Sequence, residues 1–140
     1  MTDFTLDTRL AADSLPLCYT TTSTLRVARD ARFAWLILIP KIAGMADLVD
    51  LSPDEEARVM GDVRAASLAL RQATACHKLN VASLGNMVRQ LHVHIVARFE
   101  GDAAWPGPIW GVGEAQIIDT PPAWARDVRT SLGWAMEGTE

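Results

Sequence analysis

The chain has 140 residues, 49% hydrophobic and 21% charged, with a net charge of −4. That length favours one hydrophobic core over two, and the composition is that of a globular domain rather than a disordered chain. The charge forms no basic block or stripe, which excludes a broad footprint for duplex DNA or RNA but leaves room for a small anion bound locally.

The longest apolar run, residues 34–39, falls far short of the roughly 20 residues needed to cross a bilayer. Asp3 and Asp7 stand where a secretory leader would be basic and then apolar. No membrane association and a cytoplasmic location are therefore expected. Cys18 and Cys76 lack CxxC spacing and read as buried apolar filler.

Phe4, Leu6, Leu10 and Ala11 suggest a short helix over residues 4–13, followed by a strand over 15–19. Leu25 and Val27 alternate with Arg26 and Ala28 as a second strand. Asp30-Ala31-Arg32 then turns into the apolar run closed by Pro40, which reads as a central strand. Ser52-Pro53-Asp54-Glu55 is a capping box with proline at the first helical position. From it Val59, Met60, Val63, Ala66, Leu70 and Ala73 recur at helical spacing and predict an amphipathic helix packed on a sheet.

Residues 79–84 read as a strand, Gly85-Asn86 as a hairpin turn and 87–98 as the returning strand. Thr120-Pro121-Pro122 opens a last helix bearing Trp124, Val128 and Leu132. Antiparallel neighbours with helices between or after them make the class α+β. One domain is expected over 1–140, with its core at about 23–98 and a Trp/Pro-rich loop and helix over 99–140.

The chemistry lies on the returning strand. Alternation puts Gln90, His92, His94 and Arg98 on one face with Val96, and Leu91, Val93, Ile95 and Ala97 on the core side. Three readings of the polar face are open. It is a solvated outer surface, or a metal site in which His77 joins His92 and His94, or a site of phosphoryl chemistry. Against the metal, no Cys, Asp or Glu stands at ligand spacing, and His77 at a helix end is explained by the helix dipole. For phosphoryl chemistry, imidazole titrates near 6.5, so a neutral histidine can attack phosphorus and later leave. A glycine turn also lets backbone N–H groups approach an anion.

Leu84-Gly85-Asn86-Met87-Val88-Arg89-Gln90-Leu91-His92-Val93-His94-Ile95-Val96-Ala97-Arg98 resembles a segment of the histidine triad (HIT) superfamily of nucleotide hydrolases and transferases. There a glycine-containing turn precedes H-x-H-x-H-x-x with apolar x; here glutamine holds the first histidine position. Leu36-Ile37-Leu38-Ile39-Pro40-Lys41 is similar to the family's apolar strand ending in proline, and Asp50-Leu51-Ser52 with Glu55-Glu56 to its helix start. The resemblance covers roughly residues 23–98 and is far more specific than two histidines alone. The tail around Trp105, Pro106 and Trp110 looks like a bacterial subgroup with Q-x-H-x-H.

The resemblance implies an antiparallel sheet of about five strands with flanking helices, paired as a homodimer through the long helix and neighbouring strand. It implies metal-independent hydrolysis or transfer, without a cofactor, at the α-phosphate of a purine nucleotide conjugate. Dinucleoside polyphosphates such as diadenosine tetraphosphate and nucleoside phosphoramidates are the implied substrates. His92 matches the nucleophile that forms a nucleotidyl-histidine, and His94 the third histidine, which supports the phosphate. Gln90 brings an amide that hydrogen-bonds but cannot change charge.

Gly85 and Asn86 form the turn near the phosphate, and Met87 stands where many members place a serine or threonine. Asn80 matches an asparagine that faces the phosphate, Asp30 an acid that accepts from ribose hydroxyls, and Trp35 a place often held by histidine. Each of these three has a plain alternative, as turn, hairpin and core residue. Arg98 either stabilises negative charge near the site or ends a strand in solvent. Trp105 and Trp110 either anchor packing or stack on a base. Gln90 and Met87 motivate the competing reading, a nucleotide-binding or interaction protein with little or no turnover.

Overall fold

Alternating and continuous apolar runs fold as strands, and the computed structural model, which describes residues 3–136, joins five of them in one antiparallel sheet. In chain order these are β1 (Ser14–Tyr19), β2 (Ser23–Ala28), β3 (Ala34–Pro40), β4 (Lys78–Ala82) and β5 (Val93–Arg98). Their spatial order is β1-β2-β3-β5-β4. The apolar run is the middle strand, with Leu38 in register with Leu25 on one side and Val93 on the other.

Helix α2 (Pro53–Thr74) starts at the capping box: Ser52 Oγ accepts from the Glu55 N–H at 3.2 Å, and Glu55 Oε1 accepts from the Ser52 N–H at 2.8 Å. Val59, Val63, Ala66, Ala69 and Leu70 are its buried side chains. Met60, expected on that stripe, is exposed, because one residue past Val59 it is turned by about 100° around the helix axis. A last helix, α3 (Ala123–Leu132), buries Ala125 and Val128. Both helices pack on one face of the sheet, against Leu25, Val27, Leu36, Val93 and Ile95.

The opposite face is also covered. Leu10, with Phe4 and Leu6 beside it, packs on Ala28, Ile37 and Ile39, while Phe33 and Ile109 close over Val96. The N-terminal segment and the segment that follows β5 thus fold back over the sheet face that the helices leave free. The N-terminal helix α1 is shorter than expected, Thr8–Ala12, and residues 4–7 run as an extended strap leading into it. Cys18 is buried and Cys76 half-buried, both as free thiols; burial pushes the Cys18 thiol up to about 11, against a lowering by Arg129.

The largest departure lies before the histidines. β4 stops at Ala82, which pairs with His94, so residues 83–92 form a loop rather than a Gly85-Asn86 hairpin with a long returning strand. Three interactions draw this loop off the sheet. Gly85 takes a left-handed conformation (φ +75), the Leu91 N–H donates to the Met45 carbonyl, and the Gln90 side chain bonds to the N-terminal strap. Regular pairing resumes where Val93 meets Leu38. Among the described residues no helix is long and apolar enough to cross a membrane.

Candidate active site

The alternation on β5 holds: Leu91, Val93, Ile95 and Ala97 join the core under α2, and His92, His94 and Val96 face the other way. That second face is not wet. His92 is 5% exposed, His94 7% and Arg98 1%. The N-terminal segment and the stretch after β5 cover it, an effect of tertiary packing that strand periodicity cannot register.

Between those segments lies a cavity of about 510 Å³, within the range of roughly 300–1,000 Å³ typical of small-molecule sites. Its floor is Ala28, Trp35, Ile37 and the two histidines, and its back is the loop at residues 84–88. Leu10, Ala12 and Asp13 wall it from the N-terminal side, and Trp110, Ala115 and Ile117 from the C-terminal side. Gly85, Asn86, Met87 and Val88 donate their backbone N–H groups to no other described residue, leaving them available to a ligand. The Met87 side chain is 84% exposed.

The two imidazoles lie 4.9 Å apart, edge to face. His92 Nδ1 donates to the Gln90 carbonyl at 2.6 Å, so in the neutral ring Nε2 keeps its lone pair. His94 is the reverse: its Nδ1 accepts from the Trp35 indole N–H at 3.0 Å, which puts the proton on Nε2. Burial first, and the neighbouring His92 second, lower the His94 imidazole to about 4, so it stays neutral. Trp110 meets the His94 ring at 5.1 Å and Trp35 at 6.5 Å, completing an aromatic wall. The arrangement offers one nucleophilic nitrogen and one hydrogen-bond donor side by side in a mostly apolar pocket.

Of the residues singled out from the sequence, His92, His94, Gly85, Asn86, Met87 and Asp30 line the cavity, and Gln90, Asn80 and Arg98 do not. Gln90 directs its amide away, to the backbone of Thr5 and Asp7. Arg98 neither ends in solvent nor reaches the pocket: it bonds both carboxylate oxygens of Asp102 at 2.8 and 3.0 Å and Asn80 Oδ1 at 2.7 Å. Asn80 is thereby occupied as well. The Asp102 carboxyl is held well below its ordinary range, chiefly by Arg98 and, against burial, by the N–H groups of Phe99, Ala104 and Trp105. Trp105 packs on the Arg98 guanidinium at 5.5 Å, so of the two loop tryptophans only Trp110 reaches the pocket.

Asp30 is 4% exposed, and both its oxygens are engaged by Arg32, with the Gln116 N–H on one of them. Burial raises its carboxyl, but these bonds outweigh burial and hold it below the ordinary value. Its observed work is to pin the C-terminal segment, together with Arg29, which bonds the Ile118 carbonyl and Asp119. His77 accepts from the Glu100 N–H at 3.3 Å and lies outside the pocket; among the described residues no three His, Cys, Asp or Glu side chains converge as metal ligands. Reading the sequence missed Asp13, which lines the pocket and whose carboxylate bonds to no other described residue. No local signal marks it, since α1 reaches the site only through the fold.

A family model described as the HIT domain matches residues 10–101. Comparison with curated protein sequences finds no match. Among solved structures, a histidine triad protein from Sinorhizobium meliloti is 38% identical over 93% of this chain and 95% of its own, with a TM-score of 0.84. One from Bradyrhizobium japonicum is 37% identical over 94% and 97%, with a TM-score of 0.86. A third, from Marinobacter aquaeolei, is 33% identical over 94% of each chain, with a TM-score of 0.82. The family match across most of the chain, together with these likenesses over nearly its whole length, shows that the chain belongs to the histidine triad (HIT) family.

Proposed function

We propose that this chain is a nucleotide hydrolase or transferase acting at the α-phosphorus of a purine nucleotide conjugate, with His92 as nucleophile. The observation that carries this reading is the bond from His92 Nδ1 to the Gln90 carbonyl, which leaves Nε2 free in a pocket edged by unpaired backbone N–H groups. Attack forms an Nε2–P bond and breaks the bond from phosphorus to the leaving group, which takes its proton from solvent. Water then attacks phosphorus and gives up a proton to solvent, the Nε2–P bond breaks with its electron pair returning to Nε2, and the nucleoside monophosphate leaves. His94 Nε2–H and the N–H groups of residues 85–88 stabilise the charge that develops on the phosphate oxygens. The apolar slot beside Leu10, Ile37 and Ile117 suits a planar base, and Asp13 suits ribose hydroxyls.

The test incubates wild type and His92→Ala with adenosine phosphoramidate and diadenosine tetraphosphate in chelator and follows AMP release by chromatography. Turnover that disappears in His92→Ala is the expected result; turnover that survives overturns the assignment. A second reading, a binding protein with little turnover, is favoured by the Gln90 amide turned away from the pocket and by Met87 at its mouth. It is the outcome if calorimetry finds AMP bound while neither conjugate is cleaved. Absence of AMP binding at millimolar concentration removes both.

The same reading includes a twofold homodimer in the cytoplasm. β4 is an edge strand with Val81 exposed, and α2 exposes Met60 and Leu68, apolar surface of the kind a partner covers.

A further inference from the structure

Residue 90 touches both His92 and the N-terminal strap. Its Oε1 accepts from the Asp7 N–H at 2.9 Å and its Nε2 donates to the Thr5 carbonyl at 2.8 Å, so both ends of the amide are used on a segment more than eighty residues away in sequence. Its own carbonyl takes the proton of His92 Nδ1. Asp7 is the N-cap of α1, with its carboxylate accepting from the Arg9 N–H at 2.8 Å. The helix that follows puts Leu10 and Ala12 on the pocket wall, with Asp13 at its C-cap.

A helix of five residues does not persist alone, since isolated helices below about 12 residues are marginal in water. The C-terminal half of α1 is held by Ser14, Arg26 and Arg29, which donate to the carbonyls of Leu10, Ala11 and Ala12. Its N-terminal end is held by the Asp7 cap, the burial of Leu10 on Ala28, Ile37 and Ile39, and the bond from the Asp7 N–H to Gln90. An extended segment offers an N–H and a C=O pointing the same way, and a primary amide matches that pair with one acceptor and one donor on a single fork. A carboxylate lacks the donor. An imidazole carries its two nitrogens on diverging edges of a rigid ring and cannot reach both groups.

We propose that Gln90 is a positioning residue: its side-chain amide latches the N-terminal strap over the ligand pocket while its carbonyl orients His92, so one residue sets both the pocket wall and the attacking nitrogen. The part that concerns attack rests on the reading of His92 as nucleophile; the latch does not. Glutamine at the first histidine position is, on this account, a requirement of the strap and not of the phosphate.

The test compares wild type with Gln90→Ala, Gln90→Glu and Gln90→His. Its readouts are amide hydrogen exchange at Asp7 to Leu10, the imidazole nitrogen NMR shifts of His92, and KM and kcat for adenosine phosphoramidate. Gln90→Ala is expected to speed exchange at Asp7 by about tenfold or more, the loss of two hydrogen bonds. The carbonyl at 90 survives in this variant, but residue 90 is no longer anchored to the strap, so the His92 signals should turn from one tautomer into a mixture as that carbonyl moves, with a raised KM. Gln90→Glu retains the acceptor alone, so Asp7 stays protected while KM rises less; if the Ala variant fails to fold, this variant carries the comparison. Gln90→His is expected to turn over more slowly than wild type.

Unchanged Asp7 exchange and an unchanged His92 spectrum in Gln90→Ala overturn the latch. Faster turnover in Gln90→His overturns it too, because the position then serves the phosphate. If wild type itself cleaves nothing, the functional reading fails, and exchange and nitrogen shifts still decide the latch.

Discussion

The indole N–H of Trp35 donates to Nδ1 of His94 at 3.0 Å, with the two rings 5.6 Å apart. On the neighbouring imidazole, His92 Nδ1 is the donor, to the Gln90 carbonyl at 2.6 Å. One side chain and one carbonyl therefore give the two histidines opposite tautomers, and a ligand between them meets a lone pair from one ring and an N–H from the other.

Trp35→Phe keeps an aromatic ring beside Trp110 but deletes the donor. The imidazole nitrogens of His94 should then show a mixture of tautomers by NMR, and kcat for adenosine phosphoramidate should fall by about tenfold, the worth of one hydrogen bond. Unaltered nitrogen shifts would take Trp35 out of this role.

Acid should weaken the fold through His94. Its folded value of about 4 lies below the roughly 6.5 of an unfolded histidine, so between these values the unfolded chain holds a proton that the folded chain does not. Its contribution is complete above about pH 6.5 and is lost as pH falls toward 4, a change of the order of 3 kcal/mol. Urea midpoints measured from pH 4 to 7 should slope upward with pH in wild type, and less steeply in His94→Gln. Equal slopes would mean that the burial of this ring does not govern acid stability.

Arg98 and Asp102 form a buried pair, with side chains 2% and 8% exposed. Asp102→Ala strands the guanidinium and should destabilise the protein by about 3–5 kcal/mol. Asn80→Ala removes only its side-chain bond to the guanidinium and should cost less, about 1–3 kcal/mol. Chemical denaturation of both variants checks the order; a larger loss in Asn80→Ala would contradict it.

Asp13→Asn tests the contact with ribose. Wild type should bind AMP about tenfold more tightly than its 2′,3′-dideoxy analogue, and the variant should discriminate less, since its neutral amide oxygen still accepts but forgoes the charged acceptor, whose hydrogen bonds are worth about 1.5–3 kcal/mol. Equal discrimination in both proteins assigns the hydroxyls to another group.

Much of this was legible from short-range chemistry. The Ser52–Glu55 box with Pro53 sets the start of α2 by bonds within one turn. The apolar run ending at Pro40 is a strand buried on both faces, and such a strand belongs in the middle of a sheet. The loop before His92 was not legible, because what shapes it comes from Met45, Thr5 and Asp7, far away in the chain. Arg98 was ambiguous for a similar reason: its partners come from the turn after β5 and from β4, and only folding brings both to its guanidinium.

The sequence by itself determined the α+β class, the main helix, and that His92 and His94 share a face, because capping and alternation are properties of neighbouring residues. Only the tertiary structure decided that this face is buried, that Gln90 ties down the N-terminal strap and Asp30 the segment after β5, and that Asp13 stands at the pocket. Those outcomes depend on which distant segments cover the sheet, and the fold selects that cover by burying Leu10 and Ile109 on apolar residues of the face that the helices leave free.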